Sequence, residues 1–76
     1  MIIYGSKLCP DCVRCLEDMD RRGVSYEYKD FATDLLALKE FLAIRDRDPQ
    51  FDEIRRAGKI GIPCILEDDG TVRLEW

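Results

Sequence analysis

Three of the four cysteines in the chain, Cys9, Cys12 and Cys15, fall within the short stretch KLCPDCVRC, and no other feature narrows the fold as much. The stretch stands where one periodicity ends and another begins. Met1–Tyr4 (MIIY) is a β-branched and aromatic run closed by Gly5-Ser6, the pattern of a buried strand running into a loop. Pro10 then suits the first turn of a helix, where its missing N–H leaves nothing unpaired. From there Cys12, Cys15, Leu16 and Met19 recur at helical spacing along one face. The cysteines therefore straddle a strand-to-helix junction, and Gly23 fits the end of that helix.

The rest of the chain supplies partners for this unit. Val24–Lys29 (VSYEYK) alternates apolar and polar residues as a half-exposed strand does. Leu35, Leu38, Phe41 and Leu42 make a helical stripe between Thr33 and Arg45, with Thr33 as N-cap, in a helix expected to be second in length to the first. Asp48-Pro49 breaks that helix, and Phe51, Ile54 and Ala57 mark a short one ended by Gly58. Ile62–Glu67 reads as a strand, Asp68-Asp69-Gly70 as a tight turn and Thr71–Glu75 as the antiparallel partner. A strand–helix–strand start favours a parallel crossover and the closing hairpin adds antiparallel strands. The expectation is one α/β domain over residues 1–76, a mixed four-stranded sheet with helices on its faces. Tyr4, Phe41 and Phe51 are expected in its core.

With 76 residues, the chain can bury only about 60% of its unfolded surface. Its 46% hydrophobic and 37% charged residues are those of a globular protein rather than a disordered one. A formal charge of -4 spread along the chain offers no basic face, so neither nucleic acid nor a membrane surface is an expected partner. The longest apolar run, Leu35–Leu38, falls far short of a bilayer span, and no signal segment is recognisable. The expected location is the cytoplasm. In that compartment closely spaced cysteines serve catalysis or metal binding more often than stapling, and disulfides among Cys9, Cys12 and Cys15 would close loops too small to stabilise much.

A cysteine at a helix start faces unpaired N–H groups and partial positive charge, which in general favour thiolate over thiol. Cys9 is the candidate nucleophile. Cys12, one turn on and more covered, is the candidate to resolve the mixed disulfide that Cys9 forms. The pair is answered about fifty residues later by Gly61-Ile62-Pro63-Cys64 before another strand. At this point the sequence resembles the glutaredoxins, in which a Cys-Pro-x-Cys motif is paired with a cis-proline loop. Cys9-Pro10-Asp11-Cys12 matches that motif, and Gly58-Lys59-Ile60-Gly61-Ile62-Pro63 is similar to the family's Gly-Arg-x-Thr-Val-Pro.

The resemblance covers essentially the whole chain. It implies a thioredoxin-like, glutaredoxin-type fold and thiol–disulfide exchange on protein or small-molecule disulfides. No tightly bound cofactor is implied, and the electrons would come from glutathione or a reductase. It further implies that Pro63 is cis, that the backbone of Ile62 pairs with the substrate, and that Lys59 faces a glutathione carboxylate. Lys7, Pro10 and Asp11 complete the implied substrate-binding set. The sequence departs from the family in three respects: Ser6 stands where members often carry a lysine, Asp11 where they usually carry an aromatic residue, and the glycine pair and acidic helix start that hold the far end of glutathione are missing after Gly70. The usual C-terminal helix is expected to be missing as well, leaving Val72, Leu74 and Trp76 as an apolar patch for a partner or for a second copy in a homodimer.

Two cysteines stay open. Cys15 reads as a core residue, with a redox or ligand role as its alternative. Cys64 is a candidate accessory thiol, brought near the active pair by the cis-proline loop of the fold. The rival to exchange chemistry is a non-catalytic module binding iron–sulfur, another metal or a protein through Cys9, Cys12, Cys15 and Cys64. The first three have cluster-like spacing, and against them stands a helix that points Cys15 inward while Cys9 stays at its tip. Lys7 and Lys59 have the plain alternative of solvated loop charges, and the run Arg45-Asp46-Arg47-Asp48 reads as a solvated helix end.

Overall fold

The computed structural model describes every residue from Met1 to Trp76. Strand β1 (Ile2–Gly5) leads into helix α1 (Pro10–Arg21), strand β2 (Glu27–Asp30) and helix α2 (Leu35–Arg47). A 3-10 turn at Pro49–Phe51 runs into the short helix α3 (Asp52–Arg56), followed by strands β3 (Cys64–Leu66) and β4 (Val72–Arg73). The strands form one sheet in the order β2-β1-β3-β4. β1 runs parallel to β2 and antiparallel to β3, and β3 runs antiparallel to β4, so the expected mixed four-stranded α/β architecture is present.

Alternation along β1 sorts the core. Ile3 and its partner Ile65 face α1, where they bury Cys15 and Met19. Tyr4 and its partner Cys64 face the opposite side, among Phe41 and Ile44 of α2 and Phe51 of the 3-10 turn. The two helices thus cover opposite faces of the sheet. Phe41 is central to the second cluster, its ring 5.2 Å from Phe31 in a stack and 6.0 Å from Phe51 edge-on.

Several elements differ from the sequence expectation. β2 begins at Glu27 rather than Val24, because the Val24 N–H donates to the Met19 carbonyl and so belongs to the end of α1. β3 and β4 are shorter than the periodicity suggested. α2, not α1, is the longest helix, at 13 residues against 12. Its N-cap is Asp34, whose carboxylate accepts from the N–H groups of Leu36 and Ala37, while the Thr33 hydroxyl turns back to the Asp30 carbonyl.

The expected apolar patch after β3 is also largely filled. Val72 and Leu74 pack against the Tyr4–Phe41 cluster, and Gln50 donates from its side-chain amide to the Val72 carbonyl at 2.8 Å. The α1 side of this hairpin carries Arg73 paired with Glu67 at 2.9 Å. Trp76 alone of the three stays substantially in solvent, 39% exposed. No helix is long and apolar enough to cross a membrane.

Candidate functional site

The turn between β1 and α1 is built on Ser6. Its side chain is buried, its hydroxyl accepts from the Leu8 N–H at 3.1 Å, and its carbonyl accepts from the Cys9 N–H at 3.0 Å. These bonds fold the chain back so that Cys9 becomes the N-cap residue of α1, with extended backbone and a carbonyl that accepts from Val13 at 3.2 Å. Its side chain caps no backbone group and lies next to that of Cys12.

All four thiols are unpaired, and Cys9 is the one with solvent access; Cys12, Cys15 and Cys64 are buried. Cys12 lies one turn into α1 against Gly5 of β1, and a Cβ at Gly5 would stand only 2.8 Å from the Cys12 sulfur. Burial pushes the Cys12 thiol up to about 12, with Cys9 and Cys15 adding to the rise and the Ser6 backbone opposing it. The structure thus holds a solvent-reachable sulfur beside one kept protonated.

A groove of about 430 Å³ opens beside Cys9. Its walls are Ile54 of α3, the loop Gly58–Pro63 and Leu74. Ile62–Pro63 is a cis peptide, as the resemblance implied. Gly61 is required here twice over. Its φ of +91° lies in the left-handed region, and a Cβ would come within 2.5 Å of the Phe51 ring. The outer wall is pinned from α2: Arg45 donates to the carbonyl of Lys59 at 2.7 Å and to that of Ile60 at 3.0 Å. Beyond that wall, Gly61 and Ile62 make no backbone hydrogen bond within the chain, so their amides and carbonyls remain to be used.

Among the residues singled out from the sequence, Cys9, Lys59, Ile62 and Pro63 meet in this groove. Pro10 and Asp11 stand outside it on the first turn of α1, Asp11 in an ion pair with Arg14. Lys7 is turned toward β2, its ammonium 5.9 Å over the Tyr28 ring, and so does not reach into the groove. Cys64 is the clearest correction. The alternation that puts Tyr4 toward α2 takes Cys64 with it, to full burial on the face away from α1, so it is no accessory to the Cys9–Cys12 pair. Burial raises its thiol to about 12 as well, with Asp48 adding to the effect.

The same parity undoes the four-cysteine ligand set, since Cys15 and Cys64 belong to clusters on opposite faces of the sheet, and no three histidine, cysteine or acidic side chains gather as metal ligands do. Sequence reasoning missed the supporting residues Gly5, Ser6, Arg45, Ile54 and Leu74. The contacts of Gly5, Arg45, Ile54 and Leu74 cross between elements and leave no local pattern, whereas Ser6 bonds within its own turn, to Leu8 and Cys9, a signal a serine after a strand could have offered.

A Haemophilus influenzae protein described as uncharacterized is 35% identical to this chain over 74 residues, covering 97% of this chain and 86% of the relative. The chain belongs to the family of that protein. No family model matches the sequence, and no solved structure matches it either.

Proposed function

We propose that this chain is a glutaredoxin-like thiol–disulfide oxidoreductase of thioredoxin-like fold, with Cys9 as nucleophile and Cys12 as resolving thiol. The observation that carries the reading is the asymmetry of the pair: Cys9 is reachable at the start of α1 and lines a groove with cis-Pro63, while Cys12 is buried one turn behind it. Strand order, the parallel β1–β2 pair and the antiparallel hairpin agree with what the resemblance to glutaredoxins implies.

In the first step the Cys9 thiolate attacks one sulfur of a substrate disulfide. That bond breaks, a mixed disulfide forms and the leaving half departs as a thiolate that takes a proton from solvent. In the second step Cys12 loses its proton and attacks the Cys9 sulfur; the bond between Cys9 and the substrate breaks, and the other half of the substrate leaves as a thiolate that takes up a proton in its turn. The substrate has gained two electrons, and the chain is left with a Cys9–Cys12 disulfide. Two molecules of a small thiol such as glutathione, or a reductase, return it to the dithiol form.

Reduced protein mixed with a disulfide under anaerobic conditions tests this directly. Oxidation should stop in Cys9→Ser, and Cys12→Ser should hold the mixed disulfide, visible as an added mass on Cys9. Failure of the wild-type chain to oxidise with any disulfide offered removes the proposal.

A further inference from the structure

The groove beside Cys9 has an unusual lining for a site that would accept a small charged thiol. Five of its nine residues are hydrophobic, Lys59 is the sole formal charge, and no acidic side chain lines it. Glutathione brings two carboxylates and an ammonium group to such a site. Lys59 can meet one carboxylate, while the remaining charges would lose water against Ile54, Ile60 and Leu74 without compensation.

The apolar wall is also held ready. Ile60 is 54% exposed, yet the loop that carries it is fixed by the two Arg45 hydrogen bonds, so an isoleucine is kept facing solvent at the mouth of the site. Next to it the unpaired amides and carbonyls of Gly61 and Ile62 offer a short edge to which an extended backbone can bond.

We infer that the occupant of this groove is a polypeptide disulfide whose reacting cysteine is flanked by a bulky apolar residue, and that Ile60 is a specificity-determining contact for it. Resting on the exchange chemistry proposed above, the inference narrows the substrate from disulfides in general to apolar-flanked peptides and away from glutathione disulfide. The flanking side chain packs on Ile60, with Ile54 and Leu74 behind it, and Lys59 accommodates a carboxylate farther along the peptide. Bond changes are those of the two exchange steps, with the pre-reduced chain supplying both electrons.

The test is the rate at which pre-reduced protein is oxidised in a single turnover by four probes: a symmetric peptide disulfide with leucine beside the cysteine, the same peptide with serine there, glutathione disulfide, and the uncharged disulfide of mercaptoethanol. The leucine peptide should react roughly tenfold faster than the serine peptide or glutathione disulfide, a ratio of the size one apolar side chain commands in a hydrophobic pocket. Ile60→Ser should bring the leucine-to-serine ratio close to one. Glutathione disulfide reacting as fast as the leucine peptide overturns the inference while leaving exchange intact, and an unchanged ratio in Ile60→Ser overturns the role given to that residue. If even mercaptoethanol disulfide leaves the chain reduced, the exchange reading fails and this inference with it.

Discussion

Cys12 owes its position to a residue with no side chain. Gly5 lets the Cys12 sulfur rest against β1, and an added methyl would sit 2.8 Å from it, closer than such atoms approach. Neither group has room to give, because Gly5 is paired within the sheet and Cys12 is fully buried. Gly5→Ala should therefore push the sulfur out of its seat, at a cost of about 1–3 kcal/mol in stability, the usual range for overpacking a core. On the proposed chemistry it should also slow the second exchange step more than the first, because Cys9 stands outside the displaced contact. Rapid acid quenching followed by mass measurement would then find the mixed disulfide on Cys9 accumulating in the variant. Resolution at the wild-type rate would mean that the seat of Cys12 does not govern its attack. Nothing in the letters MIIYG announces this contact, since it joins β1 to α1 across the turn that Ser6 makes.

Elements were more legible than the contacts between them. Pro10 after a β-branched run placed the start of α1, Gly23 its end, and Asp68-Asp69-Gly70 the hairpin turn, where Gly70 donates to the Glu67 carbonyl at 3.0 Å. These signals are local and chemical, so the sequence carries them in full. The start of α2 was misplaced by one residue, at Thr33, because Asp34 beside it owns a capping oxygen too. The bond of the Thr33 N–H to the Asp30 carbonyl closes a turn one residue early and gives the cap to Asp34. Asp34→Ala should cost about 1 kcal/mol in urea unfolding, as loss of an N-cap does. Thr33→Ala should stay within about 0.5 kcal/mol, as surface changes away from such features do. Reversal of that order would return the cap to Thr33. Strand parity was the larger omission. Which face receives Cys64 follows from its pairing with Tyr4 across β1 and β3, a register that is fixed only when the sheet assembles.

At the scale of the whole molecule, both faces of the sheet bury ionisable groups in their neutral form. Cys12 and Cys15 lie on the α1 side and Cys64 on the α2 side, all raised mainly by burial, and Tyr4 and Tyr28 are raised from the same first cause. The sign of the pH effect follows. In the unfolded chain a thiol ionises near 9, whereas folded Cys12 and Cys64 hold their protons to about 12. Below about 9 both states are protonated and the full contribution to stability is present. As pH rises from there toward the folded values, the unfolded state sheds protons that the folded state must keep, so stability falls by about 1.4 kcal/mol per pH unit for each such thiol. The fully reduced protein should therefore keep a flat urea midpoint up to about pH 9 and then lose stability as the pH rises toward about 12. Cys64→Ala begins from a lower plateau because of the methyl-sized void it leaves. Its alkaline slope should nonetheless be shallower by about one proton, a difference that the void cannot imitate because it does not titrate. Equal slopes in the two proteins would mean that Cys64 ionises in place, and that the cluster around Phe41 opens to water before the chain unfolds.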